Sequence, residues 1–168
     1  MTGTQKRQLI NICLLVFVAV LAYLAYQQVQ EDNKGVDTLY SDAIGDTMTE
    51  IRIQVPKQEA LVLNAQGEDW FISAPVQAKA NAKSLRHLLT LLAEPILTTY
   101  DATGKDLDTY DLGEAAVKVS FNDVEYALGK LNPVNRQRYI LLDNKILMAN
   151  EVVYELLTRG VDGFREEQ

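Results

Sequence analysis

The chain changes its hydrophobic rhythm twice. Leu9 to Tyr26 is 18 residues without a charge. A polar stretch follows, and from Glu50 onward apolar and polar residues alternate in short runs. At about 1.5 Å rise per residue, the first run would span roughly 27 Å as a helix, close to a bilayer core. Glu50–Val55 sets Ile51, Ile53 and Val55 against Glu50, Arg52 and Gln54, the period of a half-buried strand. Residues 60–64 and 70–73 read as two returning strands. Leu85, Leu88, Leu89 and Leu92 then fall at helical spacing, with Asn81 as the expected N-cap.

The pattern recurs. Residues 115–121, 124–129, 138–142 and 146–148 read as strands, and a helix is predicted from Glu151 to Gly160, capped by Asn150. Ile51, Ile53 and Val55 align with Val117, Val119 and Phe121 at a constant offset. Residues 95–100 are a further strand and 106–110 one helical turn. The expected class is α+β: an N-terminal transmembrane helix, then an antiparallel-sheet domain of two weakly similar β-β-β-α halves. One sheet face would carry the helices and the other would be partly free. The predicted boundaries are a cytoplasmic N-terminus (1–8), a membrane span (9–26), a stalk (27–47), the domain (48–160) and a tail (161–168).

Charge orients the span. Lys6 and Arg7 precede it, and no acid occurs before Glu31. The positive-inside rule then predicts a cytoplasmic N-terminus and an extracytoplasmic domain. The anchor residues are Leu9, Asn11, Leu14, Phe17, Ala19, Ala22, Tyr23 and Tyr26. Tyr23 and Tyr26 would sit at the outer interface, and Asn11, Ala19 and Ala22 suit a helix–helix contact. A cleaved signal peptide is the rival reading. It wants a shorter apolar core and a small-x-small site, whereas Ala22 and Ala25 lie three apart.

Beyond residue 30, 14 basic side chains face 23 acidic ones, a net of −9. Such a surface disfavours nucleic acid as a partner. One cysteine, Cys13, excludes an intrachain disulfide, and with one histidine, His87, no zinc ligand set is expected.

Residues 129–139 carry Gly129, Lys130, Asn132, Pro133, Arg136, Arg138 and Tyr139. A phosphate loop needs a second glycine and a Lys-Ser or Lys-Thr pair leading into a helix. Here a strand follows, and Pro133 and the asparagines suit a connection between strands. The reading is a β-sheet corner. The alternative is an anion site in which Arg136 and Arg138 grip a carboxylate or phosphate. Asp101, Asp106, Asp108, Asp111 and Glu114 miss the calcium-loop spacing, because Thr103 and Leu112 occupy ligand positions. Trp70 and Phe71 point to opposite faces of one strand: one is core, the other a possible contact.

Three segments together resemble a bacterial envelope family catalogued as domain of unknown function 4340. They are the Trp70 strand running through Pro75 into a helix, the segment Asp106–Leu112, and the loop from Gly129 through Asn132-Pro133 to Tyr139. The resemblance covers roughly residues 48–158. It implies a single-pass envelope protein, with related domains accompanying gliding-motility-type ABC transporters, and it assigns no catalytic residues. Asp111 and Asn135–Gln137 stand where that family often has glycine.

No nucleophile elbow, metal set or cofactor loop is legible, so no enzyme and no cofactor are expected. The predicted function is a non-enzymatic accessory or scaffold subunit in the bacterial inner membrane. Its domain would lie in the periplasm, with the lipid bilayer and other integral membrane proteins as partners. The alternative is an extracytoplasmic ligand-binding module serving a transporter or cell-envelope process. Its site would join the 129–139 loop to Trp70 or Phe71.

Overall fold

In the computed structural model the described residues are 20–21, 37–45 and 47–166. The anchor residues Leu9, Asn11, Leu14, Phe17, Ala19, Ala22, Tyr23 and Tyr26 lie outside them. Val20 and Leu21 are helical. No helix among the described residues is long and apolar enough to cross a membrane.

The chain divides between Val36 and Asp37. The second unit is an α+β domain. Its described residues form one antiparallel sheet of nine strands: β1 (Glu50–Gln54), β2 (Leu61–Gln66), β3 (Asp69–Ala74), β4 (Ala78–Lys79), β5 (Thr98–Asp101), β6 (Val117–Phe121), β7 (Val124–Leu131), β8 (Arg138–Leu142) and β9 (Lys145–Ala149). The spatial order is β4-β3-β2-β1-β6-β7-β8-β9-β5. Two meanders thus run outward from a central β1–β6 pair.

Period-two alternation explains the sheet's faces. Ile51 pairs with Phe121 and Ile53 with Val119, all on one face and all essentially inaccessible to solvent. Leu61, Leu63, Ile72, Tyr126, Leu128, Ile140 and Leu147 extend this apolar face. Three short helices contribute to the same core: α1 (Ala82–Leu89), α2 (Tyr154–Thr158) and α3 (Val161–Phe164). Asn81 caps α1 by accepting from the Lys83 and Ser84 N–H groups at 2.9 and 3.2 Å. Leu85 and Leu88 face inward, and a 3₁₀ turn, Thr90–Ala93, buries Leu91 and Leu92.

Several boundaries differ from the sequence reading. The predicted helix at 151–160 begins only at Tyr154, and Asn150 does not cap it. Its side chain instead donates to Glu94, 3.4 Å away. Strand β4 was not anticipated, because two residues carry no period. The domain begins before residue 48, since Leu39 and Ile44 are core residues. It also extends past residue 160, because Phe164 is fully buried and Glu166 N–H donates to the Lys79 carbonyl.

Asn122 ties the first of these segments down. It takes a left-handed conformation at the β6–β7 turn, which asparagine tolerates. Its Oδ1 accepts from the Thr49 and Glu50 N–H groups, and its Nδ2 donates to the Ile44 and Thr47 carbonyls. Tyr126 adds a second tie, donating to the Leu39 carbonyl at 2.5 Å.

Burial, and then the charge of Asp143, push the Tyr126 hydroxyl up to about 12. The folded state therefore holds this proton more tightly than the unfolded chain, whose reference is 10.0. Its stabilising contribution is complete below pH 10 and is lost as pH rises towards 12. Thermal melts across that range should show a steep alkaline decline that Tyr126→Phe flattens. At neutral pH the same substitution should cost about 1–3 kcal/mol, because the Leu39 carbonyl loses its partner.

Candidate functional site

The sheet face opposite the helices is not uniform. Over β1, β2 and β6 it is polar: Glu50, Arg52, Asn64, Lys118 and Ser120, with Arg52–Glu50 and Lys118–Glu125 ion pairs at 3.1 and 2.9 Å. Over β8 and β9 it is covered by residues 102–116. Leu107, Tyr110 and Leu112 from this segment pack with Ala102, Ile146, Tyr139 and Leu141 as a second apolar cluster. Gly129 permits the close approach. A Cβ there would collide with the Tyr110 carbonyl and lie 2.9 Å from Leu112 Cδ2.

The acids of this segment are turn-formers. Asp106 accepts from the Asp108 N–H and from the Thr109 hydroxyl, starting a 3₁₀ turn at Leu107–Tyr110. Asp111 ends that turn in a left-handed conformation. Hydrogen bonds from the Thr103 N–H and hydroxyl hold the Asp101 carboxyl below its usual range. Among the described residues, no three metal-ligating side chains converge.

The 129–139 stretch is the corner joining β7 to β8, with a register shift between Leu128 and Leu131. Its polar groups satisfy one another. Asn132 N–H donates to the Gln137 carbonyl at 2.7 Å, Arg136 N–H to the Asn132 carbonyl at 2.9 Å, and Asn132 Oδ1 accepts from Val134 N–H at 2.9 Å. Pro133 and Arg136 are exposed, and Val134 stands 90% exposed at the tip.

Arg138 does not join Arg136. It lies on the helix-covered face and is buried. Nε and Nη2 both donate to Glu151 Oε2, Nη1 donates to the Gly129 carbonyl, and the guanidinium stacks 3.6 Å from the Tyr154 ring centroid. Forked recognition of a carboxylate does occur here, but the carboxylate belongs to this chain. The two-arginine anion site is therefore corrected to one structural arginine and one exposed one.

Trp70 and Phe71 do lie on opposite faces, Trp70 half-buried against the main core and Phe71 half-buried on the other side. The second correction concerns the site that would join one of them to the 129–139 loop. Strands β2, β1, β6 and β7 separate them from β8. At about 4.8 Å per strand the gap is roughly 24 Å, too wide for one small site. His87, on the polar side of α1, is exposed and bonds the Val152 carbonyl at 2.9 Å, linking α1 to the approach of α2.

Side chains from four segments do converge elsewhere. Tyr100 on β5, Lys105 and Tyr110 on the covering segment, Tyr139 on β8 and Ile146 on β9 line a cleft of about 260 Å³. Tyr110 and Tyr139 meet edge to face, with centroids 4.9 Å apart. Asn132 Nδ2 donates to the Tyr139 hydroxyl at 2.9 Å. Of these residues, sequence reasoning singled out only Tyr139 as a candidate contact, with Asn132 behind it. Tyr100 and Lys105 lie in stretches read for strand period and for acids, and neither pattern signals a cleft.

The two sheet edges differ as well. The β4 edge is covered by the chain itself: Ala80 bridges to Arg165, and Asn81 N–H donates to the Phe164 carbonyl at 2.7 Å. The β5 edge has β9 on one side, and no strand pairs its other side among the described residues. All four β5 residues are exposed.

Comparison with protein-family models, curated proteins and solved structures finds no match.

Arg138→Met should cost about 2–4 kcal/mol in urea unfolding, towards the low end for a buried pair because Glu151 is partly solvated. Arg136→Ala should stay within about 0.5 kcal/mol of wild type, as exposed substitutions do. Equal effects would refute the division of roles between the two arginines.

Proposed function

We propose that this protein is a single-pass, membrane-anchored accessory subunit whose domain docks another membrane protein through the open β5 edge. Residues 9–26 would span the inner membrane with the N-terminus in the cytoplasm, leaving the domain in the periplasm. The resemblance to the envelope family points the same way. The pairing of Ile51 with Phe121 and of Ile53 with Val119 about the sheet centre supports reading the domain as two related halves.

The observation that carries the docking reading is the asymmetry of the edges. An unpaired edge presents a row of N–H and C=O groups that templates a further strand. Proteins blunt such edges, and this chain does so at β4 with its own C-terminal segment. At β5 it places Thr98, Thr99, Tyr100 and Asp101, with neither proline nor lysine among them. Leu97, next to the strand, is 46% exposed. Strand addition by a partner supplies backbone hydrogen bonds there, and exposed side chains supply selectivity.

Position favours a membrane protein as the partner. The chain running from the hydrophobic segment joins the domain at Asp37, whose carbonyl accepts from Ile96 N–H at 2.7 Å. Ile96 lies just before β5, so the chain's entry into the domain at Asp37 is next to that strand.

Tagged full-length protein extracted in mild detergent should migrate as a discrete, stoichiometric complex on native electrophoresis. Thr99→Lys, which puts a charge on the edge without touching the core, should dissociate that complex while leaving the melting temperature within a few degrees of wild type. A wild-type monomer even after cross-linking in intact membranes, or a complex indifferent to Thr99→Lys, would sink the reading.

A further inference from the structure

The tyrosine cleft has features that strand docking does not use. Its lining differs in charge from two other clefts of the domain. One of those, about 310 Å³, includes Glu59 among Ile53, Val55, Leu61 and Val161. The other, about 380 Å³, is bordered by Asp123, Glu125 and Asp143. Among the described residues, Lys105 is the only charged one lining the tyrosine cleft. In a region whose net charge is −9, a concave site with a cation and no acid in its wall stands out. Lys105 makes no ion pair among the described residues.

The hydrogen-bond arrangement adds a second donor. Asn132 Oδ1 is occupied by the Val134 N–H, so its Nδ2 faces Tyr139 and donates to the phenol oxygen. The Tyr139 hydroxyl proton is then left for another acceptor. Tyr100, Tyr110 and Tyr139 supply flat, polarisable walls, and Ile146, almost fully buried, supplies an apolar base. The tyrosines and Ile146 are held by regular structure (β5, β8, β9, or the 3₁₀ turn seated on Gly129), and Lys105 lies in the loop between β5 and that turn.

We propose that this cleft binds a small ring compound bearing one carboxylate. The ring would stack on the tyrosines, while the carboxylate accepts from Lys105 Nζ and from the Tyr139 hydroxyl. The size favours a single ring, being just below the usual range for small-molecule sites. The charge favours a monoanion, because one lysine balances one carboxylate. An aromatic acid and a sugar acid share this chemistry, and the experiment separates them.

Full-length protein in mild detergent is titrated with phenylacetate and with glucuronate, and in parallel with the neutral counterparts 2-phenylethanol and glucose, following saturation-transfer NMR. At least one acid should bind saturably, and its identity assigns the ring as aromatic or saccharide. Lys105→Gln should weaken that binding at least about tenfold, the loss of one charge-assisted contact. Lys105 is exposed, so this variant should melt like wild type. Thr99→Lys, outside the cleft, should leave binding unchanged, so a failure of docking and a failure of this site are distinguishable. No saturation by either acid at about 10 mM, equal binding of the neutral counterparts, or undiminished binding to Lys105→Gln would each overturn the proposal.

Discussion

The pairing of β1 with β6 is the constraint on which the rest of the domain depends. It is the one seam joining the two meanders into a single sheet. Ile51, Ile53, Val119 and Phe121 meet across it and are shielded from water by the helices. Each such side chain contributes about 1.5–3 kcal/mol on burial, and a one-residue slip of β1 against β6 would turn one strand's pair of them to the polar face. The seam also fixes which face receives the helices. Strands β2 and β7 continue the alternation that it sets, and every later strand inherits it.

Two further devices follow from this geometry. The apolar face is closed by helices that carry little intrinsic stability. With lengths of eight, five and four residues, they persist because they are packed, not because isolated segments of that length would be helical. Arg138 ties the corner at Gly129 to Glu151 and Tyr154, so the approach to α2 and the β7–β8 corner are fixed by one side chain. On the opposite face the 102–116 segment covers only the β8–β9 side, because the β1–β2–β6 surface carries paired charges and amides that are better solvated than buried.

That uneven cover is what leaves a functional surface. A segment that stops short of the sheet edge exposes Tyr100 and leaves a cleft at its margin. A chain that caps β4 with its own C-terminal residues leaves β5 bare. Cleft and edge share Tyr100, so a ligand in one and a partner strand on the other would occupy neighbouring ground.

The sequence by itself determined the local elements and the class. Period two placed β1, β6, β7 and β8, because a strand with one buried face must alternate. Asn81 marked the start of α1, because an asparagine there satisfies open N–H groups. The mixed sheet-and-helix class followed from the same periods. It did not determine the sheet order, the two-residue β4, or the burial of Leu39, Ile44 and Phe164. Nor could it separate the roles of Arg136 and Arg138, since period two assigns a side to a residue but not the neighbours found there. Only the tertiary structure decided those points, together with the cleft of Tyr100, Lys105, Tyr110 and Tyr139. The physical reason is that pairing in space brings together residues from distant segments. No local propensity records which strand will lie at an edge, or which side chains will line a cleft.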